Sequence, residues 1–175
     1  MRKQTQRPSS WKAWRDRLLI ELVEKSKPIY AKLFKRHRPA WSQNRDSLLR
    51  FPAGTLGHAL GEFLQREGLD LLHQFESHDV FHVLLDYQTT VVDEVRMQFF
   101  LLGNGKRSIY ALVSAGIGWL GVPEARPLYR QAFQKGRSFC PIHRWKFEHL
   151  LNEPLAELRK QAQGSIPINS IIPPF

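Results

Sequence analysis

The sequence predicts an all-α fold, a single-domain helical bundle, on three observations. Apolar residues recur at three- and four-residue spacing in run after run. Gly, Pro, Ser and Thr fall between those runs as caps and stops. No stretch alternates apolar and polar residues as a half-buried strand would. The 175 residues fit one domain, with enough apolar side chains to build a core rather than a disordered chain.

Ser9 or Ser10 is placed to cap a helix from Trp11, on which Trp11, Trp14, Leu18 and Leu22 share helical spacing. Pro28 breaks it. Ile29, Tyr30, Leu33 and Phe34 then offer a short apolar face that ends at Arg38-Pro39. Residues 40–52 read as a linker. Pro52-Ala53-Gly54-Thr55 reads as a turn and N-cap for a helix with Leu56, Leu60, Phe63 and Leu64 inward and Gly68 as its stop.

A helix from Ser77 to Leu85 carries Val80, Phe81, Leu84 and Leu85. Asp86-Tyr87-Gln88-Thr89 breaks the chain, and Thr90, with Asp93 three residues on, caps the next helix. That helix carries Val91, Val95, Phe99 and Leu102 and stops at Gly103-Asn104-Gly105. Further helices are expected over Ser108–Leu120, from Pro123 to Gly136, and through Arg159 after Pro154. The tail from Ser165, with Pro167, Pro173 and Pro174, reads as extended. Three parts result: a basic amphipathic arm (1–46), a helical domain (47–163) and an extended tail (164–175).

Charge is unevenly spread. Of the net +10, residues 1–46 supply +9, from 13 Lys/Arg against 4 Asp/Glu, and the other 129 residues are close to neutral. The arm suits an anionic membrane surface, with Trp11 and Trp14 at headgroup level, or a solvated tail or partner-docking helix that needs no lipid. A near-neutral body argues against nucleic acid. No apolar run reaches the ~18 residues of a membrane span, and no apolar leader pattern follows Met1. Cys140 is the single cysteine, which rules out an internal disulfide and suits a reducing compartment.

The sharpest chemical signal is His78-Asp79-Val80-Phe81-His82, followed by Glu94. Residues four apart share a helix face, so His78 and His82 can present two imidazoles to one ion. Asp79 can supply an oxygen ligand or accept a histidine N–H. Glu94 lies twelve residues beyond His82, about 18 Å along a continuous helix. It reaches the histidines only if the chain reverses at Asp86–Thr89 to make a helical hairpin.

His-Asp-x-x-His-x11-Glu resembles the hallmark of the ubiquinone (coenzyme Q) biosynthesis protein four family. Pro52-Ala53-Gly54-Thr55-Leu56-Gly57, Phe81–Leu84, Thr89–Glu94, Gly136-Arg137 with Glu148, and Asn152–Arg159 are similar to its other landmarks, in order. Asp86 and Gln88 stand where the family commonly has Gly and Pro. The resemblance implies a divalent metal on His78, Asp79, His82 and Glu94, with zinc expected before magnesium, manganese or iron. It implies a pocket for a polyprenylated ring intermediate or other isoprenoid lipid, with Phe99, Phe100 and Trp119 expected to line it.

It further implies a place at the inner face of the membrane, on the matrix side in a mitochondrion, beside other quinone-biosynthesis enzymes and with room for a homodimer. Two functions fit: an enzyme of C1 oxidative decarboxylation of the prenylated ring, or a lipid-binding scaffold with a structural metal, including a paralogue acting on another lipid. Arg137 and Glu148 are read as an internal ion pair or a headgroup contact.

Other signals carry less. Gly116-Ile117-Gly118-Trp119-Leu120-Gly121 matches a dinucleotide-binding pattern but lacks the preceding strand. His58 or His73 with Asp93 gives a weaker match to helical metal phosphohydrolases. Cys140 is expected to be buried, and His143 and His149 to be surface residues.

Overall fold

The structure, a computed structural model, describes positions 11, 14, 15, 17, 18 and 21 and residues 40–72 and 75–164. Most of the expected arm and tail, with the Ser9/Ser10 cap, the Pro28 break and the 29–38 segment, lies outside the described residues. Among those described, seven α-helices follow position 40, with no strand beyond one isolated bridge between Thr55 and Pro154. They are α1 (Arg45–Leu48), α2 (Leu56–Glu67), α3 (Glu76–Leu85), α4 (Val91–Gly103), α5 (Ile109–Gly121), α6 (Arg126–Ser138) and α7 (Leu155–Ala162). The all-α expectation holds. No described helix is long and apolar enough to cross a membrane.

Local chemistry sets the boundaries. Thr55, Thr90 and Ser108 each accept a backbone N–H from the first turn of α2, α4 and α5. Gly68 ends α2 with φ +66°. Asp86 ends α3 at φ +59°, in the left-handed region. Glycine has no Cβ to strain there, and Asp is among the side chains that tolerate it. The expected linker over 40–52 is structured instead: Asn44 and Ser47 cap α1 reciprocally, and Leu48 is fully buried. α6 runs two residues past Gly136 to Ser138, and residues 139–151 form two 3₁₀ turns rather than a regular helix.

Two distant segments hold each other at the base of α2. Leu56 N–H donates to the Glu153 carbonyl (2.9 Å), Gly57 N–H to that of Leu151 (2.8 Å), and Leu155 N–H to that of Gly54 (2.9 Å). α7 then packs on the end of α3, where the Arg159 guanidinium donates to the carbonyls of Val83 (2.7 Å) and Leu84 (3.3 Å). Those carbonyls belong to the last turn of the helix and have no intrahelical partner.

α4 and α6 meet through glycines. A Cβ at Gly136 would strike the Phe100 carbonyl, and one at Gly103 would strike the Phe133 carbonyl. Asn104 locks the same corner: its amide N–H groups donate to the carbonyls of Gly136 (3.1 Å) and Cys140 (2.7 Å), and its oxygen accepts from His143 N–H (3.2 Å). His143 is thus half-buried and tied into the fold rather than a bare surface residue, and Cys140 is only half-buried. Gly136→Ala is expected to lower stability by about 3 kcal/mol through overpacking against rigid backbone, or about 6–12 °C in thermal melting for a domain of this size. An unchanged melting temperature would show that the two helices can part freely.

Candidate metal centre

α3 and α4 form the hairpin that the spacing requires. Residues 86–90 reverse the chain, which puts Glu94 in the first turn of α4 facing His78 and His82 on α3. His78 Nε2 lies 3.2 Å from one Glu94 carboxylate oxygen, and His82 Nε2 lies 3.0 Å from the other. One ligand atom from each of the three residues falls within a span of 4.8 Å.

The opposite ring nitrogens are held as well. His82 Nδ1 is 3.0 Å from the Tyr87 carbonyl. A carbonyl only accepts, so Nδ1 donates there, and Nε2 is the ring atom that faces Glu94. His78 Nδ1 is 3.3 Å from the Asp79 carboxylate. Asp79 therefore stands at the far nitrogen of His78, and the three atoms that converge come from His78, His82 and Glu94. Phe63 stacks on the His82 ring at 5.4 Å.

Both histidines are buried, and Glu94 is nearly so. Burial pulls the His78 pKa down, but the Glu94 charge and the bonds to Asp79 and Glu94 outweigh it and push the group up to about 9. Burial likewise raises Glu94, and the charge on His78 with the bonds from both histidines more than reverses this, holding the carboxyl well below the usual range.

The donor set fits a divalent metal. Separations of 3.0–3.2 Å between imidazole nitrogen and carboxylate oxygen are close to those of ligands that share one ion at about 2.0–2.2 Å. Each imidazole is oriented from behind, by a carbonyl or a carboxylate, as metal-bound imidazoles usually are.

The three residues sit in the wall of a cavity of about 390 Å³, a size usual for small-molecule sites. Its apolar lining comes from Phe63, Phe75, Val91, Val95 and Ile117, with Leu69 and Leu72 half-exposed at the opening. The expected lining residues do other work. Phe100 is fully buried in the main core, edge-on to Phe139. Phe99 and Trp119 pack together beside α6, where Phe99 stacks on Tyr129 at 5.2 Å. Every second or third residue of α4 is apolar, so the sequence could not say which side faces the cavity and which the core.

Gly118 was visible only as part of a nucleotide-like pattern. It lies inside α5, and a Cβ there would strike the Val95 side chain, so its role is to let α5 close over α4. Arg137 and Glu148 are both exposed, and no ion pair joins them among the described residues. Asp93 pairs with Arg96 at 2.7 Å and His58 approaches Glu62 at 3.6 Å, and neither is among the residues whose ligand atoms converge; His73 lies outside the described residues.

The family model for the coenzyme Q (ubiquinone) biosynthesis protein Coq4 matches residues 71–167, more than half of the chain and the stretch that holds the whole His/Glu cluster. A search of curated proteins gives no match. In fold, the chain is similar to a crystal structure from Nostoc punctiforme PCC 73102 described as a candidate ubiquinone biosynthesis protein. The two share 20% identity, with a TM-score of 0.57 over 85% of this chain and 81% of that one.

Proposed function

Because the chain belongs to the coenzyme Q (ubiquinone) biosynthesis protein Coq4 family, a family of ubiquinone biosynthesis, we propose that it binds one divalent metal on His78, His82 and Glu94 and acts on a prenylated benzoate in its C1 oxidative decarboxylation. The observation that carries this reading is the convergence of three ligand atoms on the wall of an apolar cavity. Three protein ligands, rather than four, leave a position for a substrate oxygen, as in catalytic sites. A metal there would supply positive charge to bind the ring carboxylate or an oxygen species and stabilise charge that develops on it.

The chain's own residues do the rest. Tyr87 and Asp79 fix the two imidazoles so that their Nε2 atoms stay aimed at the site. Phe63, Phe75, Val91, Val95 and Ile117 take the ring and the first part of its prenyl chain and exclude water. The overall change converts the ring carboxylic acid, dioxygen, two electrons and two protons into a ring hydroxyl, carbon dioxide and water. It therefore needs a two-electron donor besides oxygen. Zinc serves as Lewis acid only, so oxygen chemistry would favour iron or manganese at the same donors.

We take the folded domain to run from α1, which begins at Arg45, to residue 163, and the basic residues before it as an arm that meets an anionic membrane surface, where a prenylated substrate resides. Carboxyl-labelled prenylated benzoate, given to the metal-loaded chain with oxygen and a chemical reductant, should release labelled carbon dioxide, and Glu94→Gln should release none. If a folded, metal-loaded parent binds the substrate but releases no label, catalysis fails as a reading. A lipid-presenting role beside other enzymes of the pathway then takes its place.

A further inference from the structure

The sequence of α5, IYALVSAGIGWLG, contains no charged residue. Tyr110, Ser114, Ala115 and Gly118 face inward. Its outer face is Ile109, Leu112, Val113 and Leu120, between 52% and 76% exposed, with Gly116 among them. Residues spaced three or four apart lie on one helix face, so these form a continuous apolar strip about 17 Å long. A surface helix ordinarily turns charged side chains outward, and contiguous apolar patches of this kind mark interaction sites.

The strip borders the cavity. Ile117 and Ser114 line one wall of it, and Val113 sits one turn before Ile117 on the same helix. Leu69 and Leu72, 44% and 48% exposed, line the cavity from the segment after α2, and Phe75 in that segment meets Tyr110 of α5 at 6.0 Å. The opening is thus rimmed by exposed apolar side chains on both sides.

Basic side chains stand at both ends of α5. Lys106 and Arg107 precede α5, and Arg126 and Arg130 follow it, both guanidiniums lying over the Trp119 ring. The acids beside it have basic partners: Asp70 with Arg45 at 3.3 Å, Glu67 with Arg66 at 3.0 Å, and Glu124 with Arg15 at 2.9 Å. That last pair brings Arg15, one of the described helical positions 11, 14, 15, 17, 18 and 21, to the C-terminal end of α5. There Trp11 and Trp14 stack at 5.1 Å and are exposed.

We propose that the outer face of α5, with Leu69 and Leu72, docks on an anionic lipid bilayer and opens the cavity directly toward the acyl chains. The apolar strip enters the headgroup–acyl boundary, the Lys and Arg residues meet anionic headgroups, and the tryptophans lie at the interface. A second copy of the chain fits this face less well, because a two-fold contact would set its basic flanks against each other. The inference needs only the exposed strip and the cavity beside it. It does not depend on the reaction or on the metal.

The test is vesicle co-sedimentation of the full chain, with phosphatidylcholine vesicles that hold about one third phosphatidylglycerol and vesicles of phosphatidylcholine alone. The parent should bind the anionic vesicles and bind the neutral ones more weakly. Leu112→Glu/Val113→Glu should reduce partitioning at least about tenfold, with circular dichroism and melting unchanged. Ala156→Glu, exposed on α7, should bind as the parent does.

Leu120→Glu, the most exposed position of the strip, gives a second reading should the double variant not fold. The neutral pair Leu112→Ser/Val113→Ser should also weaken binding, which separates lost apolar insertion from charge repulsion. Parent-like binding by the folded strip variants would overturn the proposal and leave the basic arm as the membrane contact. No vesicle binding by the parent would overturn it too. So would a concentration-dependent dimer that Leu112→Glu/Val113→Glu splits, which would show a second copy on this face.

Discussion

Glu94→Ala is expected to take the chain from about one equivalent of bound divalent metal to background, and His82→Ala to do the same. Each substitution removes one of the three atoms that converge within 4.8 Å. Loss of a residue that merely orients a metal ligand typically costs 10–100-fold in affinity, so loss of a ligand should cost more than about 100-fold. Asp79→Ala distinguishes the two roles. Its carboxylate stands 3.3 Å from Nδ1 of His78, at the ring nitrogen opposite the cluster, so this variant should keep the metal with affinity lowered about 10–100-fold. Elemental analysis of tag-free protein, with titration of the metal-depleted chain, reads all three. If Asp79→Ala loses metal as completely as Glu94→Ala, Asp79 is a fourth direct ligand and the site is closed. If the parent takes up no metal, the cluster is a buried ion-pair triad.

The metal hairpin was legible because each part of it is local. Two histidines four apart, a turn, and a Thr cap need no knowledge of the rest of the chain, and the 18 Å that an unbroken helix would put between His82 and Glu94 forces the reversal. The helix stops at Gly68 and Gly103-Asn104 were legible for the same reason. What the sequence hid was long-range. Nothing local says that Leu56 and Gly57 bond to the carbonyls of Glu153 and Leu151, although the segments holding these residues carry separate landmarks of the family. Nothing local says that Arg159 satisfies the end of the histidine helix. The short α1 was hidden by its length: four residues give no period, and only the Asn44–Ser47 cap and one buried leucine mark it. The cavity wall was misread because α4 is apolar on several sides. Phe99 and Phe100 took the core and the α6 contact, while Val91 and Val95 took the cavity.

The resting charge of the cluster sets how metal uptake depends on pH. With His78 pushed up to about 9 by Glu94 and Asp79, nearly every metal-free molecule at pH 7 carries a proton on its ring. A metal takes only the neutral imidazole, so uptake must displace that proton. The sign follows. Each unit of pH below 9 lowers the fraction of neutral His78 about tenfold, so apparent affinity should climb about tenfold per unit from pH 7 and level off above 9. Glu94, held below the usual carboxylate range, is ionised throughout this window and adds no slope. The metal-free fold has the opposite dependence. His78 stabilises it fully below the ordinary histidine value of 6.5, and that contribution fades as pH rises through about 9. The rise in melting temperature on adding metal should therefore grow from pH 7 to 9. Calorimetric titration in two buffers of different ionisation enthalpy should find about one proton released per metal at pH 7.5. An affinity independent of pH over this range would mean that the metal binds without displacing the His78 proton, and so not through His78 Nε2.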